Sequence, residues 1–247
     1  MDRLKDKVAI ITGSTSGMGR ETAYVFAEEG AKVMIVGRNA ERAQAVVDKI
    51  VADGGEAAYV LADMRDATSV ENIADATLEK FGTIDILYNN AGQLSITPTL
   101  DLSLEELEQV TRVNVNAAFI LSKKVAPVMK AKGKGIIINT GSVAGTAARH
   151  GLLAYCTTKH AVNGLTRALA RELGPEIRVN AILPGAIMTA MLESIGGEAA
   201  VGAMVESSPL KRIGNGREIG TAALFFATDD SSFVTGQLLR VDGGVDC

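Results

Sequence analysis

Val8-Ala9-Ile10-Ile11 runs without a break into Thr12-Gly13-Ser14-Thr15-Ser16-Gly17-Met18-Gly19, and a helical pattern follows in which Ala23, Phe26 and Ala27 share a face before Gly30. A short, continuously apolar run with β-branched residues suits a strand buried on both faces. Strand, glycine-rich turn and helix is the context that gives a glycine motif its meaning. Glycines let a backbone approach a pyrophosphate, and the free amides of the helix N-terminus then hold the anion. The spacing Gly-x3-Gly-x-Gly is neither G-x-G-x-x-G nor a Walker loop, which would need a Gly-Lys-Ser/Thr close. A glycine-rich turn without a ligand is the plainer alternative.

The same alternation continues outward. Lys32 to Val36 reads as a second strand, ending in Gly37-Arg38-Asn39, with a helix from Ala40 to Ala52. Dinucleotide folds place a carboxylate at this strand end for a ribose 2′-hydroxyl and an arginine for a 2′-phosphate. Gly37 is not acidic and Arg38 follows it, so NADP(H) is favoured over NAD(H), although Arg38 could equally be a solvated charge. Ala57 to Leu61 is a weaker third strand closed by Asp63; a helix over 66–80 and a fourth strand, Ile84 to Tyr88, lead to Asn89-Asn90-Ala91-Gly92. Further strands are expected at Gly135–Asn139, Ile177–Leu183 and Gln237–Val241, and a further helix over Thr221–Ala227. Strands and helices at this spacing predict a doubly wound parallel α/β sheet (Rossmann fold) of about seven strands with helices on both faces. One domain over residues 1–247 accommodates it.

Three features point to chemistry. A long helix from about Ser103 to Lys130 carries an apolar stripe interrupted by Asn114, either a locally satisfied core amide or part of a polar site. Ser142 follows the fifth strand, at the carboxyl end where open α/β sheets keep their ligands, yet its neighbourhood alone describes only a loop serine. Tyr155 and Lys159 lie four apart in a helix that runs to about Leu173, so they share a face about 5–6 Å apart at Cβ. An ammonium roughly 4 Å from a phenol at an effective dielectric of about 20 contributes on the order of 4 kcal/mol. That would bring a phenol of ordinary pKa ~10 toward neutrality, where it can trade protons with a substrate oxygen. A surface Tyr and Lys four apart are also common.

Composition excludes several alternatives. The 247 residues are 47% hydrophobic and 22% charged, with a net charge of −4. Nucleic acid is not expected as a partner. No apolar run approaches the ~18 residues of a membrane span. The charged N-terminus has no secretory core, so a cytoplasmic protein is expected. Cys156 and Cys247 have no metal-ligand spacing, and with only His150 and His160 no metal site is expected.

Together these residues resemble the single-domain branch of the short-chain dehydrogenase/reductase family, over essentially the whole chain. The matching pieces are Thr12-Gly13-x3-Gly17-x-Gly19, Asn89-Asn90-Ala91-Gly92, the set Asn114, Ser142, Tyr155 and Lys159, and Pro184-Gly185 with Thr189 beyond. The resemblance implies an NAD(P)(H)-dependent oxidoreductase interconverting a ketone and a secondary alcohol. Tyr155 would be general acid or base, Lys159 would lower its pKa and hold the nicotinamide ribose, and Ser142 would bind the substrate oxygen. Asn114 would anchor a water relay through its backbone carbonyl. The loop Gly13, Ser14, Thr15, Ser16, Gly17, Met18 and Gly19 would hold the cofactor. Asp63 and Met64 would face the adenine, and Asn90, Ala91 and Gly92 the adjoining ribose. Pro184, Gly185, Ile187 and Thr189 would line the nicotinamide. Many NADP-preferring relatives carry Arg or Lys where this chain has Ser16, which leaves Arg38 as the main 2′-phosphate ligand.

Relatives fold residues 188–210 over the substrate as a lid, and are mostly tetramers with the helices around Asn114 and Tyr155 at an interface; a homotetramer is expected. Met188, Met191, Leu192, Ile195, Met204 and Val205 make that stretch apolar and adaptable, suiting a bulky substrate such as a hydroxysteroid. The same residues could instead pack on a neighbouring subunit. The alternative substrate is a 3-oxoacyl thioester on a carrier protein, with Lys130, Lys132, Lys134 and Arg149 as a docking patch. Other relatives are non-catalytic dinucleotide-sensing regulators, but those typically lose the Tyr or Lys kept here.

Overall fold

The computed structural model describes residues 2–148 and 151–245. Seven parallel strands are β1 (Val8–Thr12), β2 (Lys32–Gly37), β3 (Glu56–Leu61), β4 (Ile86–Asn89), β5 (Gly135–Thr140), β6 (Ile177–Pro184) and β7 (Leu238–Val241). They lie in the order β3-β2-β1-β4-β5-β6-β7. The connecting helices are α1 (Gly17–Glu28), α2 (Ala40–Ala52), α3 (Ala67–Phe81), α4 (Leu104–Thr111), α5 (Ala117–Ala131), α6 (Leu153–Leu173), α7 (Ala190–Glu193), α8 (Glu198–Ser207) and α9 (Gly216–Ala227).

Successive strand residues face opposite layers. Ala9 and Ile11 of β1 join Phe26 of α1, Val46 of α2 and Ala223 of α9 on one side. Ile10 joins Ile73 of α3, Leu121 of α5 and Leu169 of α6 on the other. The central strands are therefore apolar on both faces, whereas edge strand β3 is only partly covered. Helix starts follow the same local logic. Asn39 caps α2 by accepting from the Arg42 amide at 2.8 Å, and Asn215 with Glu218 closes a capping box on α9.

Two expectations change. The helix expected over about 103–130 is α4 and α5 joined by a turn of π-helix, Arg112–Asn116, in which the Ala117 amide reaches the Arg112 carbonyl. The extra residue per turn rotates Asn114 relative to a straight helix, and such turns favour functional positions. The other concerns the lysines. Lys132 and Lys134 precede β5, so they sit at the amino edge of the sheet, opposite the carboxyl edge where the glycine loop and Ser142 emerge. Lys132 is paired with Asp85, and Lys134 with Asp229 at 2.6 Å. They form no basic docking patch at the mouth, and Arg149 lies outside the described residues.

Arg178 of β6 locks the connection from α9 to β7. It donates to the carbonyls of Phe226 (2.9 Å), Thr228 (3.0 Å) and Val234 (3.2 Å) and to Ser231 Oγ (2.9 Å). Arg178→Met strands these partly buried acceptors and is expected to cost about 2–3 kcal/mol of stability, measured from the denaturant midpoint. A loss under about 0.5 kcal/mol would mean that water replaces the guanidinium.

Candidate active site

The strand order reverses between β1 and β4, whose connections leave in opposite directions and open a cleft at the carboxyl edge. Gly13 and Gly17, with φ of 66° and 53°, take the left-handed backbone that turns β1 into α1. A Cβ on Gly19 would stand 2.5 Å from both Asn90 Nδ2 and the Gly13 carbonyl oxygen. Only a bare backbone fits there. Ser16 leaves the first turn of α1 without a side-chain cap, and no acidic residue lies in that turn, so its amides are open to an anion.

The Asn89-Asn90-Ala91-Gly92 segment braces this loop. Asn90 Nδ2 donates to the carbonyls of Thr12 (2.9 Å) and Gly13 (3.3 Å), while the amides of Asn90 and Ala91 each donate to Thr12 Oγ1 at 3.0 Å. Asn90 Oδ1 is left buried without a partner. A buried acceptor in that state is costly, and a ribose hydroxyl would satisfy it. The glycine cradle, the open amides and this acceptor together fit a dinucleotide.

Ser14 braces the loop from within. It is fully buried, its hydroxyl donates to the Ile11 carbonyl (2.6 Å) and accepts from the Val36 amide (2.9 Å), and its own amide reaches Val36. It ties β1 to β2 and has only its carbonyl to spare. Thr15 packs where a side chain on Gly37 would go, its Cγ2 2.4 Å from the Cβ position. That excludes the usual carboxylate from this strand end. Arg38 beside it is exposed and makes no hydrogen bond or ion pair among the described residues. Asp63 is held by Arg65 at 2.5 Å, and that guanidinium lowers its carboxyl to about 2. Met64 borders a small cavity with Ala91 and Asn114.

Beyond β4 the polar groups converge. Asn114 accepts from the Gln93 amide (2.7 Å) and donates to the Gln93 carbonyl and Thr158 Oγ1, both at 3.0 Å. Its side chain is thus fully engaged in joining the π-turn to α6. Lys159, 3% exposed, donates to the Thr140 carbonyl at 2.7 Å, and burial lowers its ammonium to about 8. A Cβ on Gly92 would lie 3.5 Å from Asn114 Oδ1 and 3.6 Å from Lys159 Nζ, an ordinary contact with both groups. Tyr155 and Lys159 do share a face, with Nζ 5.6 Å from the ring centre. Ser142 caps the short 3₁₀ turn Val143–Gly145, its hydroxyl accepting from the Ala144 amide at 3.1 Å, and counters the rise in the Tyr155 phenol.

The expected lowering of Tyr155 by Lys159 is not what the geometry gives. Burial pushes the phenol up, the Ser142 hydroxyl works against it, and neighbouring Cys156 adds to the rise. The ammonium lies 5.6 Å from the ring centre and donates one of its hydrogens to the Thr140 carbonyl, and burial outweighs its presence.

On the far wall, Pro184 ends β6, and a Cβ on Gly185 would meet the Asp242 backbone at 2.7 Å. Ile187 is buried, and Thr189 caps α7 with its hydroxyl while its Cγ2 comes within 3.3 Å of the Cβ position of Gly17. The root of segment 188–210 therefore meets the glycine loop. Sequence reasoning missed Gln93, Thr140 and Thr158, which position the others, and placed Thr12 in the loop without its bracing role. It also missed a buried amide ladder, Asn89 to Ser122 Oγ (3.2 Å) and Asn139 (2.9 Å), and Asn139 to Thr166 Oγ1 (2.9 Å). Asn89 and Asn139 were visible as polar residues closing apolar strands.

A family described as Enoyl-(Acyl carrier protein) reductase matches residues 13–246. The cyclohexanol dehydrogenase of Acinetobacter sp. (strain SE19) is 37% identical, the match covering 98% of this chain and 96% of that protein. The 3-oxoacyl-[acyl-carrier-protein] reductase of Synechocystis sp. (strain ATCC 27184 / PCC 6803 / Kazusa) is 37% identical over 99% of each chain. A solved structure described as 7 alpha-hydroxysteroid dehydrogenase complexed with NADH and 7-oxo glycochenodeoxycholic acid superposes with a TM-score of 0.95 at 38% identity, covering 98% of this chain and 95% of that one. Among the described residues no helix is long and apolar enough to cross a membrane.

Proposed function

Since the chain belongs to the short-chain dehydrogenase/reductase family and is an oxidoreductase, we propose that it interconverts a ketone and a secondary alcohol with Tyr155 as general acid and base. The observation that carries this reading is the Lys159 ammonium set against the Tyr155 ring on one face of α6, beside the carboxyl edge where Ser142 and the glycine loop emerge. The open amides of Gly17 to Gly19 hold the pyrophosphate, Asn90 and Lys159 the riboses, and Ile187 and Thr189 flank the nicotinamide. When bound, the nicotinamide supplies or accepts the hydride. Tyr155, held protonated at neutral pH, donates to the substrate oxygen in reduction, and Ser142 stabilises charge on that oxygen. Lys159 supports the phenolate that remains.

A bulky apolar ring substrate such as a hydroxysteroid suits residues 188–210, which act as a lid. Met188 and Met191 are each 40% exposed, and α8 buries none of its residues. Adaptable methionines accept such a surface. The carrier-protein alternative has less support, because the lysines that would dock it point from the other end of the sheet. Exposed Leu104, Phe119 and Leu153 on α4 to α6 favour a homotetramer, and the free thiol of Cys156 favours the cytoplasm.

Arg38 is the 2′-phosphate ligand in this reading, and NADPH is the preferred cofactor. Fluorescence titration with NADPH and NADH, followed by a panel of ring and acyl ketones, tests the assignment. NADPH is expected to bind at least about tenfold tighter, and Arg38→Asp to remove that advantage. An unchanged preference in Arg38→Asp would reject Arg38 as the phosphate ligand.

A further inference from the structure

We propose that Arg65 sets the cofactor preference at one remove, by occupying the Asp63 carboxylate so that Arg38 stays open for a 2′-phosphate; this rests on Arg38 being the phosphate ligand. Leu61 pairs with Gly37 across β3 and β2, and the Ala62 amide donates to the Gly37 carbonyl at 2.9 Å. Arg38 and Asp63 thus leave the sheet side by side, each just past the last rung. Asp63 is the carboxylate at hand for Arg38, and its acidity registers both guanidinium groups, Arg65 the more strongly.

Arg65 has claimed it completely. Arg65 Nε donates to both Asp63 oxygens at 3.0 Å, its NH2 group to Oδ2 at 2.5 Å, and its backbone amide to Oδ1 at 3.0 Å. Those four contacts match the roughly four acceptor sites of a carboxylate. With Asp63 satisfied and neutralised, Arg38 forms no hydrogen bond or ion pair among the described residues although it stands next to an acid.

Without Arg65 the carboxylate would turn to Arg38, since a guanidinium and a carboxylate pair readily in a fork. A phosphate carrying about −1.5 to −2 charge would then have to displace that acid and endure its repulsion. A ribose 2′-hydroxyl would meet neither cost, because it can donate to a carboxylate.

The test is binding of NADPH and NADH to the intact protein by calorimetry, each affinity taken as the ratio of the two so that any common loss at the adenine cancels. Arg65→Ala is expected to lower the NADPH to NADH affinity ratio by about three- to tenfold. Adding Asp63→Asn to that variant is expected to restore the ratio, because the liberated acid is the cause. Equal weakening of both cofactors by Arg65→Ala would overturn the inference and leave Arg65 as a brace of its loop. Failure of Asp63→Asn to restore the ratio would overturn it as well. If the unaltered protein binds NADPH no tighter than NADH, the assignment of Arg38 fails first and this inference falls with it.

Discussion

Tyr155→Phe is expected to lower turnover by about 10²- to 10⁴-fold while leaving dinucleotide affinity within about twofold. The substitution removes one oxygen and keeps the ring against which Lys159 packs, so the cleft walls should survive it. What is lost is the acid. Ser142, whose hydroxyl acts on the phenol's acidity, cannot replace it, because a serine hydroxyl is a far weaker proton donor. The loss should therefore fall on kcat rather than on KM, the pattern of an interaction made only in the transition state. Stopped-flow absorbance of the reduced nicotinamide separates the steps, and a Tyr155→Phe enzyme within about tenfold of the unaltered rate would mean that another group delivers the proton. A protein that binds dinucleotide but turns over no ketone or alcohol in either form would instead point to a sensing role.

The sequence was most informative where burial dictates residue type. The central strands are apolar on both faces and could be read directly; β2, β5 and β6 end within a residue of where the apolar runs stop. Edge strand β3 was weaker because Glu56, Tyr59 and Leu61 face solvent, leaving no periodic signal. Helix α8 was illegible for a related reason, since it buries nothing and so carries no face. The π-turn escaped because hydrogen bonds shifted by one residue leave no mark on composition, although the polar Asn114 inside an apolar stripe marked the place. Direction along the sheet was recoverable and was overlooked: in a parallel sheet, lysines before a strand lie at the opposite edge from a serine after it. The spacing of Tyr155 and Lys159 predicted a shared face correctly. Spacing cannot weigh burial against a nearby charge, and there burial, which pushes the phenol up, works against the expectation.

Lys159→Met is expected to abolish most turnover and, at pH 7, to raise the melting temperature. Burial holds the Lys159 ammonium at about 8, against an ordinary 10.5. Between those values the unfolded chain binds more protons than the folded one, so stability rises as pH climbs through that window. Below pH 8 the desolvation penalty is present in full, on the order of 3 kcal/mol. Methionine removes it at the expense of stranding the buried Thr140 carbonyl, which costs about 1–3 kcal/mol. The balance favours the variant by about 1 kcal/mol at pH 7, or about 2–4 °C in a chain of this size, and the advantage should shrink toward pH 10. The same titration sets the rate profile of the unaltered protein. Because the phenolate left by proton donation is supported only while Lys159 is charged, reductive kcat should fall as pH rises through about 8. Calorimetric scans at pH 7 and 10, read beside the kcat profile, check both. A Lys159→Met protein that melts lower at pH 7 would show that the lysine stabilises the fold, and that its ammonium is not held in the cleft against a standing cost.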